Sequence, residues 1–407
     1  MAKKAKATDT HPVFAVTDAS LRLTLPKLRN TAFAFTGDSN SRVNNREAEP
    51  VDSAATEELI KLPDLPPWLV TPLTQVHQRV SKNSLPHAIL VHGAPGTGKR
   101  LLVEAMVALL LCEQPGQSSF DGSADNMAAA ALPLACGSCN SCKQLRSGNH
   151  TDYRLLIPTE DRNIIRVGDT RDFVNWALLT ANSRGGVKVG VIDSVEVMNP
   201  NAANSLLKTL EEPAAGTFII CIANWPGSLP ATVTSRCQLL PVPSNTGADV
   251  EQWLHNAGVP EPAVALQRAD GAALRALNEQ SPGRQQQRVH LQRSFCDIVA
   301  ARAGIAVWVE RLSKETPTDC LEAYLSFTAD ILRVRQGAEK YCRHSDLIDE
   351  WRNIAPLLST EQWFTLLDRL SSLYRMDNAS IKIQPVLETI FAVIWQQRSK
   401  QLESPGA

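Results

Sequence analysis

The stretch "VHGAPGTGKR" (Val91–Arg100) begins as a phosphate-binding loop and ends on the wrong residue for one. The pattern G-x-x-x-x-G-K ordinarily continues with Ser or Thr, whose hydroxyl holds magnesium, and Arg100 stands there instead. In such a loop the glycines let backbone N–H groups approach the phosphates. The following helix adds positive potential at its N-terminus, and the lysine reaches the β and γ phosphates. Gly93, Gly96, Gly98 and Lys99 keep that cradle. The loop also lies between an apolar run, "HAILVHG", and a helical pattern, "KRLLVEAMVALLLC", as the motif requires. Arg100 brings a cation to the metal's place and no ligand oxygen, so ATP bound here would lack proper metal coordination and its use at this site is doubtful.

Working outward, "DYRLLIP", "VKVGVID" and "TFIICIAN" read as further buried strands, with "TRDFVNWALLTAN" and "NAANSLLKTLEEP" as helices between them. Strands rich in Val, Ile and Leu alternating with helices predict an α/β fold, with a parallel sheet covered on both faces and ligands at the carboxyl ends of the strands. The helix after Met198 has a legible start, with Asn199 as N-cap and Pro200 at the first helical position, and Pro213 stops it. Asp193 ends its strand where a hydrolysing site keeps a metal-side carboxylate. Ser194 stands where hydrolysing members of the additional-strand class place a water-activating Glu, and serine is a poor base at neutral pH. From Ala248 to about Gln401 the pattern is nearly all helical, with a break at "SPGRQQQ" that suggests a short helical unit followed by a larger helical domain. Residues 1 to about 61 are polar and aperiodic and read as a mobile, disordered extension.

The 407 residues fit two or three domains, and a formal net charge of −1 argues against coating nucleic acid or an anionic membrane by bulk charge. The N-terminus has lysines but no apolar region behind them, and the longest apolar stretch is interrupted by Glu104; a cytoplasmic protein with no membrane partner is the simplest expectation. Nine cysteines in a reducing compartment are thiols or metal ligands rather than a disulfide framework. Cys136, Cys139 and Cys142 in "CGSCNSC", with Cys112 ahead of them, match the four-thiolate shell of a structural Zn²⁺. His150 competes with Cys112 for the fourth position, and a redox role for the C-x-x-C pairs is the other alternative.

The loop, the cysteine cluster, "LLKTLEEP" (Leu206–Pro213) and "TSRC" (Thr234–Cys237) occur in that order, and together they resemble the AAA+ subunits of the bacterial DNA polymerase III clamp loader. The specific resemblance runs from about Leu62 to Val242. Two subunit types share these motifs, the ATP-hydrolysing tau/gamma type and the delta-prime type. Arg100 and Ser194 favour the latter, as do "LPHAILVHG" and "IIRVGDTRDF". The resemblance implies an AAA+ P-loop domain over 62–243 with a zinc module at about 112–142, a small helical lid over 244–283 and a helical collar over 284–407. It implies that Arg236 is an arginine finger reaching a neighbouring subunit's ATP site, and that Asn224 falls at the polar sensor of the γ-phosphate in a degenerate nucleotide site. Arg275 lies one residue out of phase with the hydrolysing type's second-sensor arginine, and that role is not carried over. The partners implied are the delta and tau/gamma subunits, the beta sliding clamp and primed DNA, with no active site of the chain's own. A tau/gamma-type ATPase is the alternative; a third reading makes the cysteine module a nucleic-acid contact, for which only Lys143 and Arg146 lie close by.

Overall fold

The apolar runs become a five-stranded, all-parallel sheet: β1 (Ala88–His92), β2 (Tyr153–Leu156), β3 (Lys188–Asp193), β4 (Thr217–Ala223) and β5 (Gln238–Pro241), in the spatial order β2-β3-β4-β1-β5. The computed structural model describes residues 65–115, 135–158, 164–183, 185–300, 302, 304–313, 315–375 and 382–403. The segment read as an extension, 1–61, lies outside them, as does much of the span between Cys112 and Cys136. β1 lies between β4 and β5, so the loop leaving it opens at the carboxyl edge where the strand order reverses.

Alternation along the strands divides the sheet's two faces. Ile89, Val91, Val189, Val191, Ile220 and Ile222 enter one core, and Ala88, Leu90, Ile192, Ile219 and Cys221 enter the other. The first core is covered by α1 (Pro67–Ser81) and α2 (Lys99–Leu111). A short helix, α3 (Asn140–Arg146), follows the cysteine segment. The second core is covered by α4 (Val167–Ala177), α5 (Pro200–Glu211) and the one-turn α6 (Ala231–Thr234). Asn199 caps α5 as expected, its side chain accepting from Ala202 N–H at 2.8 Å.

Two sequence readings shift in detail. The helical pattern at "TRDFVNWALLTAN" runs to Asn182, yet α4 stops at Ala177 and leaves Leu178 and Leu179 exposed. The buried Asp152 carboxylate accepts the N–H groups of Asn182 and Ser183, fixing a turn into β3, and the Lys188 ammonium takes the Trp176 carbonyl at 3.0 Å. Apolar period does not register that competition. The "SPGRQQQ" stretch, read as a break, lies mostly inside a helix, because Pro282 takes the first helical position, where its missing N–H costs nothing.

Three short helices follow the sheet: α7 (Ala248–Asn256), α8 (Pro262–Arg268) and α9 (Ala273–Asn278). They share the first core rather than building one of their own: Val250, Leu254, Leu266 and Ala276 pack with α1 and α2, and Trp253 meets Trp68 edge-on with ring centroids 5.1 Å apart. The remaining helices are α10 (Pro282–Val299), α11 (Ile305–Arg311), α12 (Pro317–Arg335), α13 (Ile348–Ile354), α14 (Thr360–Arg375) and α15 (Ile383–Glu403), and they enclose a separate core around Phe295, Tyr324, Phe327, Trp351 and Trp363. A strap after α12 joins that bundle to α8. Gln267 donates to the Cys342 carbonyl at 2.7 Å, while the buried Asp330 anchors the strap by accepting the N–H groups of Arg343 and His344, both at 2.9 Å. Among the described residues no helix is long and apolar enough to cross a membrane.

Candidate functional site

The loop Gly93–Gly98 turns over the carboxyl end of β1, braced from below by a contact absent from any motif. Trp68 of α1 donates its indole N–H to the Thr97 carbonyl at 2.8 Å, and Leu69 lies under Gly98. Above it, Leu274 N–H donates to the Gly96 carbonyl at 3.1 Å. Gly96 has φ +81°, and a Cβ there would stand 2.6 Å from the Cβ of Arg275. Only glycine supplies both the left-handed backbone and the space. Lys99 folds back into the loop, donating to the carbonyls of Gly93 at 2.7 Å and Ala94 at 2.9 Å. Burial pulls its ammonium down to about 8, partly opposed by the carboxylates of Glu196 and Asp193.

Gly96, Gly98, Lys99, Arg100, Asp193 and Asn224 line one cavity of about 1480 Å³ between the sheet edge and the helices that follow it. Arg100 and Asp193 are paired, with Nε donating to Oδ2 at 2.8 Å and a second contact from Nη2. A guanidinium thus neutralises the carboxylate at the end of β3. Beneath it, burial raises Glu104 to about 7, with Arg100 opposing the rise. Arg275 lies over Gly96, but its guanidinium is engaged by Glu279 at 3.1 Å and Glu322 at 3.6 Å.

Sequence reasoning overlooked Glu196. Its Oε1 accepts from Trp225 N–H at 2.6 Å and Ser228 at 3.2 Å, and its Oε2 accepts from Ser194 at 3.1 Å and Asn224 at 3.2 Å. A carboxylate with both oxygens so engaged ties the ends of β3 and β4 together. Asn224, which also lines the cavity, gives one of its amide N–H groups to Glu196. Nothing in "SVEV" signals this, because the clamp is assembled from segments about thirty residues apart.

Arg236 is not among the cavity's lining residues. It follows α6 on the surface, with a side chain 32% exposed, paired with Glu211 at the end of α5 and donating from Nη1 to the Thr232 carbonyl at 2.8 Å.

The sulfurs of Cys112, Cys136, Cys139 and Cys142 all lie within 4.8 Å of one another. Zn–S bonds of about 2.3 Å in a tetrahedron require sulfurs about 3.8 Å apart, so a small contraction completes the shell and the donor set fits a structural zinc. Backbone N–H groups point at three of the sulfurs: Cys136 to Cys112 at 3.2 Å, Cys139 to Cys136 at 3.3 Å and Cys142 to Cys139 at 3.4 Å. His150 is occupied elsewhere. Its Nδ1 accepts from Asp152 N–H at 3.2 Å and its Nε2 meets the Ser141 hydroxyl at 2.7 Å. Arg146 donates to the Gly137 carbonyl at 2.9 Å and so fastens the cysteine turn.

Residues 71–246 match the family described as DNA polymerase III, delta subunit. The DNA polymerase III subunit delta-prime of Pseudomonas aeruginosa is 37% identical over 252 residues, covering 62% of this chain and 68% of that one. The chain belongs to the DNA polymerase III delta-prime family. Its role is that of a clamp-loader subunit in replication. The delta-prime subunit of Yersinia pestis is 29% identical over 314 residues, 75% of this chain and 87% of its own. A DNA polymerase III gamma subunit-related protein of Thermotoga maritima aligns over 80% of this chain and 99% of its own at 14% identity, with a TM-score of 0.39. In this delta-prime family member, the glycine loop, the clamped carboxylate and the surface arginine occupy one parallel-sheet α/β framework.

Proposed function

We propose that this chain is a non-hydrolysing AAA+ subunit that acts in the cytoplasm at one end of a clamp loader, beside delta and tau/gamma subunits. It donates Arg236 in trans to a neighbouring ATP site and helps place the beta sliding clamp on primed DNA. The observation that carries the reading is the Arg100–Asp193 pair: the seat of the metal is filled by the chain's own cation, while the nearby carboxylate Glu196 is held by four donors. With Ser194 in place of a general base, the cradle of Gly93, Gly96, Gly98 and Lys99 keeps its shape without turnover. A trans-acting guanidinium stabilises charge developing on the transferred phosphoryl group, and its effect depends on exact placement. Helices α7–α9 serve as the lid, α10–α15 as the collar of the ring, and the four cysteines hold a structural zinc that keeps α2 and α3 in register.

ATP turnover by the reconstituted loader with beta clamp and primed DNA tests this. The isolated chain is expected to be inactive, Arg236→Ala to slow the assembly, and Lys99→Ala to leave it unchanged. Turnover by the isolated chain that Lys99→Ala abolishes would establish the tau/gamma-type ATPase instead.

A further inference from the structure

The surroundings of Arg236 point to one more participant. Its Nε donates to Glu211 Oε1, the same oxygen contacts Nη2, and Nη1 donates to the Thr232 carbonyl at 2.8 Å. Every nitrogen of the guanidinium is therefore held by this chain. A guanidinium carries five N–H donors in a planar fork. Three are spent on Glu211 and Thr232, leaving one on each Nη nitrogen, and among the described residues no acceptor takes either. One spare donor on each of two neighbouring nitrogens, held on a fixed plane, can meet phosphate oxygens.

Glu211 is the last residue of α5, with Glu212 as its C-cap, and carboxylates there meet the negative end of the helix dipole. That position favours a cation, and Arg236 supplies it. Thr232 belongs to α6, so the guanidinium bridges the ends of two helices that contact one another and pack on the same face of the sheet. The side chain would otherwise lose several free torsions on meeting a phosphate, a cost that prior immobilisation removes.

We infer that Glu211 is a positioning residue for Arg236: it fixes the plane of the guanidinium and turns the two remaining donors outward, toward a phosphate group on an adjoining subunit. This rests on the trans-acting role proposed above. Glu211 touches no reacting atom; it acts through the arginine alone.

The test uses the reconstituted loader with beta clamp and primed DNA, carrying Arg236→Ala, Glu211→Ala, Glu211→Gln or the double alanine variant, with incorporation followed by size-exclusion chromatography. Glu211→Ala is expected to lower ATP turnover about tenfold, on the scale that loss of orientation costs. Glu211→Gln, which retains the acceptor oxygen, is expected to restore most of the rate, and the double variant to be no slower than Arg236→Ala. If Arg236→Ala has no effect, the trans-acting role itself fails. If Arg236→Ala slows the loader while Glu211→Ala leaves it unchanged or speeds it, positioning by Glu211 is overturned. Additive losses, or a Gln variant as slow as Ala, overturn it too. Should Glu211→Ala stay out of the complex, the Arg236 Nε–H resonance of the isolated chain reads the same contact. Slow exchange in wild type and Glu211→Gln, and fast exchange in Glu211→Ala, is the expected pattern; equal exchange in all three refutes the contact.

Discussion

Removing the Arg100 guanidinium should expose how far the chain's own cation replaces a metal. The Nε–Oδ2 distance is 2.8 Å, and the Arg100 side chain is 57% exposed against 16% for Asp193. With charge centres about 4 Å apart, Coulomb's law gives about 1 kcal/mol in water and about 4 kcal/mol at an effective dielectric of 20. Exposure of the arginine and the entropy of fixing a long side chain bring the expected coupling to about 1 kcal/mol. Arg100→Ala, Asp193→Asn and the double variant form a cycle in which the two single losses should exceed the double loss by that amount, read from urea midpoints of the full chain. The coupling should shrink in 1 M salt, as screening of a partly exposed pair requires. Zero coupling at low salt would mean that the pair contributes nothing and that the metal's seat is only loosely filled. A tenfold gain in wild-type nucleotide affinity on adding magnesium would refute the replacement outright.

Three further outcomes follow from the geometry. Metal analysis of the purified chain should find one zinc, lost in Cys112→Ser and kept in His150→Ala, and chelation should lower the melting temperature; a metal that leaves with His150 instead would reassign the fourth ligand. Glu104 is raised from 4.5 to about 7 in the folded chain, which therefore holds an extra proton between those values. Its contribution to stability is full below about 4.5 and is lost as pH rises through 7, so Glu104→Gln should stabilise at pH 8 relative to wild type and change little at pH 4.5, and equal effects at both pH values would contradict the burial argument. Trp68→Phe removes the bond to the Thr97 carbonyl and should cost about 1 kcal/mol in chemical denaturation; a loss within error would show that the brace under the loop is idle.

Features written in contiguous residues were legible in the sequence. Strands β1 to β4, the cap at Asn199 and the loop glycines each rest on local pattern, as does the C-x-x-C spacing. What escaped depends on residues distant in the chain. Helix α1 has an ordinary amphipathic pattern with no motif, and its value lies in Trp68 meeting Thr97, twenty-nine residues away. Glu196 acquires its meaning from Asn224, Trp225 and Ser228, and Glu211 from Arg236. The choice between Cys112 and His150 needed the fold as well, since only packing shows that both ring nitrogens of the histidine already have partners.

Gly96 carries a consequence for reading other sequences of this kind. Arg275 comes so near that any side chain at Gly96 would collide with it, and Leu274 bonds the carbonyl of the same residue. The glycine is required by closeness to the chain's own backbone, whatever occupies the cavity beside it. A phosphate-loop signature can therefore persist as a packing requirement, so finding one is evidence of an inherited shape and says nothing by itself about whether ATP is used.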